Sequence, residues 1–134
     1  MRHVLIPLSL LTLATMSTTS SASQQPAPHA VAINLDLTAS GYRPVLNGPP
    51  TTAGMRSGYV VLAPGASVGR HSTEGNEEVL VVLGGVGELR LAKQAPLPLR
   101  EGTVAYNPPH TEHDVANTGT APLRYLYVVA PAAH

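Results

Sequence analysis

Short apolar runs, some continuous and some alternating with polar residues, are separated by Gly- and Pro-containing turns, and no stretch sustains the three-to-four residue spacing of an amphipathic helix. Arg56–Leu62 reads as a strand, and Ala63-Pro64-Gly65 as the turn after it. Val68–His71 is expected to rise as a strand, Ser72–Asn76 to form a polar loop, and Val79–Leu83 to return as a buried strand stopping at Gly84-Gly85. On this reading the three pieces make a β-hairpin. Gly87–Leu91 places Glu88 and Arg90 outward and Leu89 and Leu91 inward. Lys93–Glu101 is broken by proline and can only be an edge strand or a loop. Thr103–Tyr106, His113–Asn117 and Leu123–Val129 read as strands, with turns at Asn107–His110 and Asn117–Pro122, and the tail Ala130–His134 is expected to fray. Val31–Leu37 alternates weakly as a possible first strand, and Ala39–Gly54, rich in Gly, Pro and Thr, reads as a long loop. Eight or nine short strands without a helix predict an all-β sandwich or small barrel.

Composition narrows the chemistry. The chain has 134 residues, enough for one domain, and no cysteine, so disulfides and thiolate metal sites are excluded. Its formal charge is zero with no basic block, which speaks against nucleic acid and anionic membrane surfaces as partners. Phe and Trp are absent, so the core falls to Val, Leu, Ala and Tyr, with Tyr106, Tyr125 and Tyr127 placed in the core or at an interface.

The central segment carries the chemistry. Near a hairpin turn, opposed side chains lie roughly 5 Å apart. His71 can therefore meet one of the adjacent carboxylates Glu77 and Glu78; alternation lets only one of the two point inward. An imidazole and a carboxylate converging at the edge of an apolar strand are half of a nitrogen–oxygen metal site.

Two ordered motifs complete the picture. Gly65, five residues, His71, then Thr73, a glutamate and a glycine follow G-x5-H-x-H-x3 or 4-E-x6-G, with Thr73 where the second histidine belongs. Gly102, Pro108, His113 and Asn117 follow G-x5-P-x-G-x2-H-x3-N, with His110 in place of the glycine. On these motifs the region Ala53–Pro131 resembles the cupin family. The resemblance implies a double-stranded β-helix (jelly-roll) barrel with its site inside. The family's continuation as G-x-G matches Gly85-Val86-Gly87 and selects Glu78 as the inward carboxylate.

What the resemblance implies for function follows from that ligand set. His71, Glu78 and His113 would hold a divalent metal (Fe, Mn, Zn, Ni or Cu), two imidazoles and a carboxylate being the facial-triad set with open positions. Thr73, on the face of His71, would at best hold a water there, and a histidine at 73 would restore the family set. His110 is expected on the loop at the site mouth as an acid or base. Asn117 is expected to turn the chain. The function implied is metal-dependent action on a small molecule, of the dioxygenase or isomerase type. A non-enzymatic module binding a small ligand or metal is the alternative, and a vestigial barrel a third reading. Val79, Val81 and Leu83, opposite Glu78, form an apolar strip that predicts a homodimer.

Residues 1–23 read as a signal peptide: Arg2 and His3, an apolar run Val4–Met16, and small residues Ser17–Ser23. The mature protein is then expected to be exported, periplasmic or secreted, with residues 24–52 as linker and N-terminal arm and 53–131 as the barrel domain.

Overall fold

The computed structural model of the protein describes residues 27–133. The expected signal peptide lies outside the described residues. Among them there is no helix: two antiparallel sheets face each other across one core. The larger sheet is built from β1 (Gly41–Asn47), β2 (Arg56–Leu62), β4 (Asn76–Gly84), β7 (Val104–Asn107) and β9 (Leu123–Pro131), in the order β1-β2-β9-β4-β7. The smaller contains β3 (His71–Ser72), β5 (Val86–Leu91), β6 (Gln94–Arg100) and β8 (Glu112–Asn117), in the order β3-β8-β5-β6.

Alternation explains which residues line the core. Glu78, Leu80 and Val82 of β4 point inward and are buried, while Glu77 and Leu83 are exposed. Leu89, Leu99, Val115, Leu123 and Tyr125 complete the apolar centre from both sheets. On β5 the outward pair Glu88 and Arg90 meet at 2.6 Å. The proline-broken segment is an edge strand, β6, paired on one side with β5 alone, the position in a sheet where proline is tolerated. Gly85, with φ of 85°, closes the turn between β4 and β5; a Cβ there would collide with the Pro122 carbonyl oxygen.

Four expectations are corrected. Residues 31–37 form no strand; β1 instead arises within the segment read as a loop, pairing Gly41–Asn47 with β2. Its proline sits at an edge position, and a bulge between Pro44 and Leu46 absorbs the irregularity. Second, β3 and β4 do not pair as a hairpin: β3 pairs with β8, and residues 73–75 carry the chain across to the other sheet. Third, the C-terminal tail does not fray at once, because β9 runs on to Pro131, opposite Asn76. Fourth, Val68–Arg70, expected to rise as a strand into His71, lie outside β3, which begins at His71. Of the tyrosines, Tyr106 is half exposed on the outer face rather than in the core, and its hydroxyl donates to Glu77 at 3.1 Å.

Candidate metal centre

The crossing between sheets places the site. His71 lies directly opposite His113 in the β3–β8 ladder, and their rings stand 4.3 Å apart at centroids, tilted by 57°. Glu78 reaches the same point from the facing sheet, so imidazole and carboxylate meet across the barrel rather than across a hairpin. One ligand atom from each of His71, Glu78 and His113 falls within 4.8 Å of the others. Metal–ligand bonds are roughly 2.1 Å, so small side-chain movements let one cation bridge all three.

Both imidazoles are fixed by backbone carbonyls, which can only accept. Nδ1–H of His71 donates to the Gly69 oxygen at 2.9 Å, and Nδ1–H of His113 to the Thr111 oxygen at 3.1 Å. In the neutral rings this leaves the Nε2 lone pairs free. Nε2 of His113 is buried without a hydrogen-bond partner of acceptable direction, though it lies 2.9 Å from Oε2 of Glu78. A lone pair and a carboxylate oxygen at that distance repel unless a positive charge, proton or metal, sits with them. The donor set therefore fits a divalent cation.

Without a metal the proton takes that part. Burial would raise the Glu78 carboxyl, but the His113 imidazole 2.9 Å away, the hydrogen bond from Asn107 and the charge of His71 outweigh it and hold the group below its usual value. Burial would lower His113, but the Glu78 carboxylate and the Thr111 carbonyl raise it instead. Asn107, fully buried and opposite Glu78 in the β4–β7 ladder, donates Nδ2–H to Glu78 at 2.9 Å. Sequence reasoning missed this residue; its signal was its period-two phase at the end of β7, facing inward with Ala105.

The other expected site residues stand elsewhere or do other work. Glu77 faces out. Thr73 lines the cavity, but its hydroxyl donates to Pro108 O at 2.9 Å and accepts from Thr111 N–H at 3.0 Å, clamping the β7–β8 turn. His110 is exposed and does not line the cavity; it occupies a left-handed conformation, φ 57°, which explains why glycine suits this motif position. Asn117 binds Leu62 O, Ala121 O and Gly119 N, each at 2.9 Å, and turns the chain as expected.

A cavity of about 720 Å³ opens beside the centre. His71 is exposed while Glu78 and His113 are buried, so the centre is reached from the His71 side. The cavity walls include Val60, Leu62, Leu80, Val115 and Tyr125, with Tyr42, Arg56 and Tyr127 near the mouth.

Two sheets wrapped around an inward His–Glu–His group define a double-stranded β-helix barrel with a possible metal centre. The chain belongs to the cupin family: residues 58–129 match the cupin domain model. It is 34% identical over 68 residues to an oxalate-binding protein of Thermotoga maritima, the match covering 51% of this chain and 55% of that protein. The chain thus spans about half the length of that curated relative. A cupin 2 conserved barrel domain protein of Salinispora arenicola superimposes with a TM-score of 0.64 at 26% identity, over 78% of this chain and 92% of that one. An RmlC-like cupin family protein with a double-stranded β-helix fold from Methanocaldococcus jannaschii gives 0.64 at 22% identity, over 77% and 91%.

Proposed function

We propose that this is a small metal-dependent cupin that binds one divalent cation through His71, Glu78 and His113 and acts on a small carboxylic acid in the adjoining cavity. The observation that carries this reading is the buried, unpartnered Nε2 of His113 beside the Glu78 carboxylate, with both imidazoles fixed by carbonyls in the tautomer a metal requires. A bound cation would supply Lewis acidity or oxygen activation. The chain's own residues hold the ligand atoms: Asn107 orients Glu78, and Thr111, itself clamped by Thr73, orients His113. The relative named as an oxalate-binding protein supports a carboxylate as the ligand class.

Binding without turnover is the second reading. What favours it is His110, the expected acid or base, standing outside the cavity. We assign the protein to an exported compartment on the Arg2–Ser23 pattern, which N-terminal sequencing near Ser23 or Gln24 tests. Oxygen uptake and product analysis with metal-loaded protein and oxalate or longer 2-oxo acids separate the readings. Turnover lost in His113→Ala supports the enzyme; saturable binding without turnover for every acid and metal refutes it.

A further inference from the structure

The inner face of the larger sheet carries polar groups that a metal centre does not need. Arg56 opens β2 opposite Val129, and Val129 in turn lies opposite Glu78. The three share one row, so Arg56 starts two strand spacings, roughly 10 Å, from Glu78 on the same face. One row deeper are Gly58, Tyr127 and Leu80, and beyond them Tyr42, Val60, Tyr125 and Val82. The rings of Tyr42 and Tyr127 stack with centroids 6.1 Å apart and 16° between planes, and their hydroxyls lie 2.6 Å apart.

Two glycines make room for this arrangement. A Cβ on Gly58 would fall 2.7 Å from Cε1 and 2.8 Å from the hydroxyl oxygen of Tyr127. A Cβ on Gly48 would fall 3.3 Å from Cγ of Arg56. Arg56, Tyr42 and Tyr127 line the same cavity. Arg56 forms no ion pair with a carboxylate among the described residues. The hydroxyl pair spends one hydrogen on its own bond and keeps the other to donate. The mouth therefore offers a guanidinium and a phenol O–H that can both donate to a ligand carboxylate. Glu74, exposed on the β3–β4 loop, is the carboxylate besides Glu78 that lines the cavity.

We propose that Arg56, with the Tyr42–Tyr127 hydroxyl pair, anchors the carboxylate of an amphipathic acid whose apolar body lies along Val60, Leu62, Leu80 and Val115. The atoms next to the carboxylate then lie toward His71, Glu78 and His113; this last part rests on the proposed metal centre, whereas the anchor itself does not. A cavity of about 720 Å³ falls in the range that holds ligands far larger than oxalate, and oxalate has no apolar body for these walls. Tyr42 and Arg56 lie outside the residues matched by the family model, whereas Tyr127 lies within them.

The test is calorimetric titration of the mature chain, metal-free and metal-loaded, with phenylacetate, 4-phenylbutyrate, their amides and oxalate. The acids should bind about tenfold more tightly than their amides, the scale of one charge-assisted hydrogen bond, and more tightly than oxalate. Arg56→Gln should lose that tenfold for the acids and leave the amides unchanged, Arg56→Lys should restore part, and Tyr42→Phe should weaken acids a few-fold. Arg56→Gln should keep the metal-induced rise in melting temperature, which shows the barrel intact. Equal binding of acid and amide, no binding of either acid, or an unchanged Arg56→Gln overturns the anchor. Loss of the metal-induced shift in wild type, with acid binding still dependent on Arg56, refutes the metal centre and leaves the anchor standing.

Discussion

Replacing Thr73 by Val tests how the site is held. The two side chains have nearly the same shape, so packing is kept while the hydroxyl is removed. Its loss leaves the Pro108 carbonyl and the Thr111 N–H, now bonded at 2.9 and 3.0 Å, without partners in a partly buried turn. Each hydrogen bond is worth about 1 kcal/mol net, and an orphaned buried group adds to the loss, so Thr73→Val should destabilise by about 2 kcal/mol. For a domain of this size that lowers Tm by roughly 10 °C. Thr73→Ser retains the hydroxyl and should lose less than half as much. The same turn carries the Thr111 carbonyl that orients His113, so metal affinity should fall about tenfold in Thr73→Val, the lower end for a group one shell out from a metal. Thr73→His, which motif comparison alone would choose to strengthen the centre, should instead destabilise, because imidazole cannot replace both bonds. Urea unfolding and metal titration of the three variants decide it. A Thr73→Val protein with the wild-type unfolding midpoint and metal affinity would refute the clamp.

Asn117→Ala removes three hydrogen bonds from a buried side chain and should cost about 3 kcal/mol in urea unfolding; a change under 1 kcal/mol would count against its turn-holding role. The metal-free protein should be most stable roughly between pH 4.5 and 6.5. The lowered Glu78 contributes above its ordinary value and loses this as pH falls through the lowered one, while the raised His113 contributes fully below its ordinary value and loses this as pH rises through the raised one. Melting scans with chelator present that keep climbing above pH 8 would contradict that coupling. The outer face of the larger sheet exposes Leu83, Val104 and Tyr106, and sedimentation at about tens of micromolar should show a homodimer that Val104→Lys splits; a wild-type monomer refutes it.

Most strands from Arg56 onward were legible because each has one buried face, and a face fixes the phase of alternation; Val68–Arg70 were the exception, lying outside the two-residue β3. Alternation alone left Glu77 and Glu78 open, and the resemblance at Gly85-Val86-Gly87 selected Glu78, the one that is buried. Pairing partners were not legible in the same way. His71 and Glu78 are seven positions apart with a polar loop between, a pattern that fits a hairpin as well as a crossing between sheets. Only the ladder with His113 distinguishes them. β1 was hidden because Gly41 and Pro44 carry turn signals, and its inward residue Tyr42 is recognised only through Tyr127 on a strand 85 positions away. Arg56 was read as a strand end, since a single cation carries no signal until the row containing Val129 and Glu78 is known. Thr73 was placed near the correct cavity, but its hydroxyl partners lie on a turn whose position no local pattern encodes.

The central claim is a cation held by His71, Glu78 and His113, and thermal melting of chelator-free protein against manganese, iron(II), zinc, nickel and copper tests it most directly. At 100 times its dissociation constant the correct metal should stabilise the fold by about 2.7 kcal/mol, a rise of roughly 10 °C or more. His71→Ala, His113→Ala and Glu78→Gln should each abolish most of that rise, and Glu77→Gln should keep it. No shift with any of the five metals, or equal loss in the Glu77 and Glu78 variants, would contradict the account.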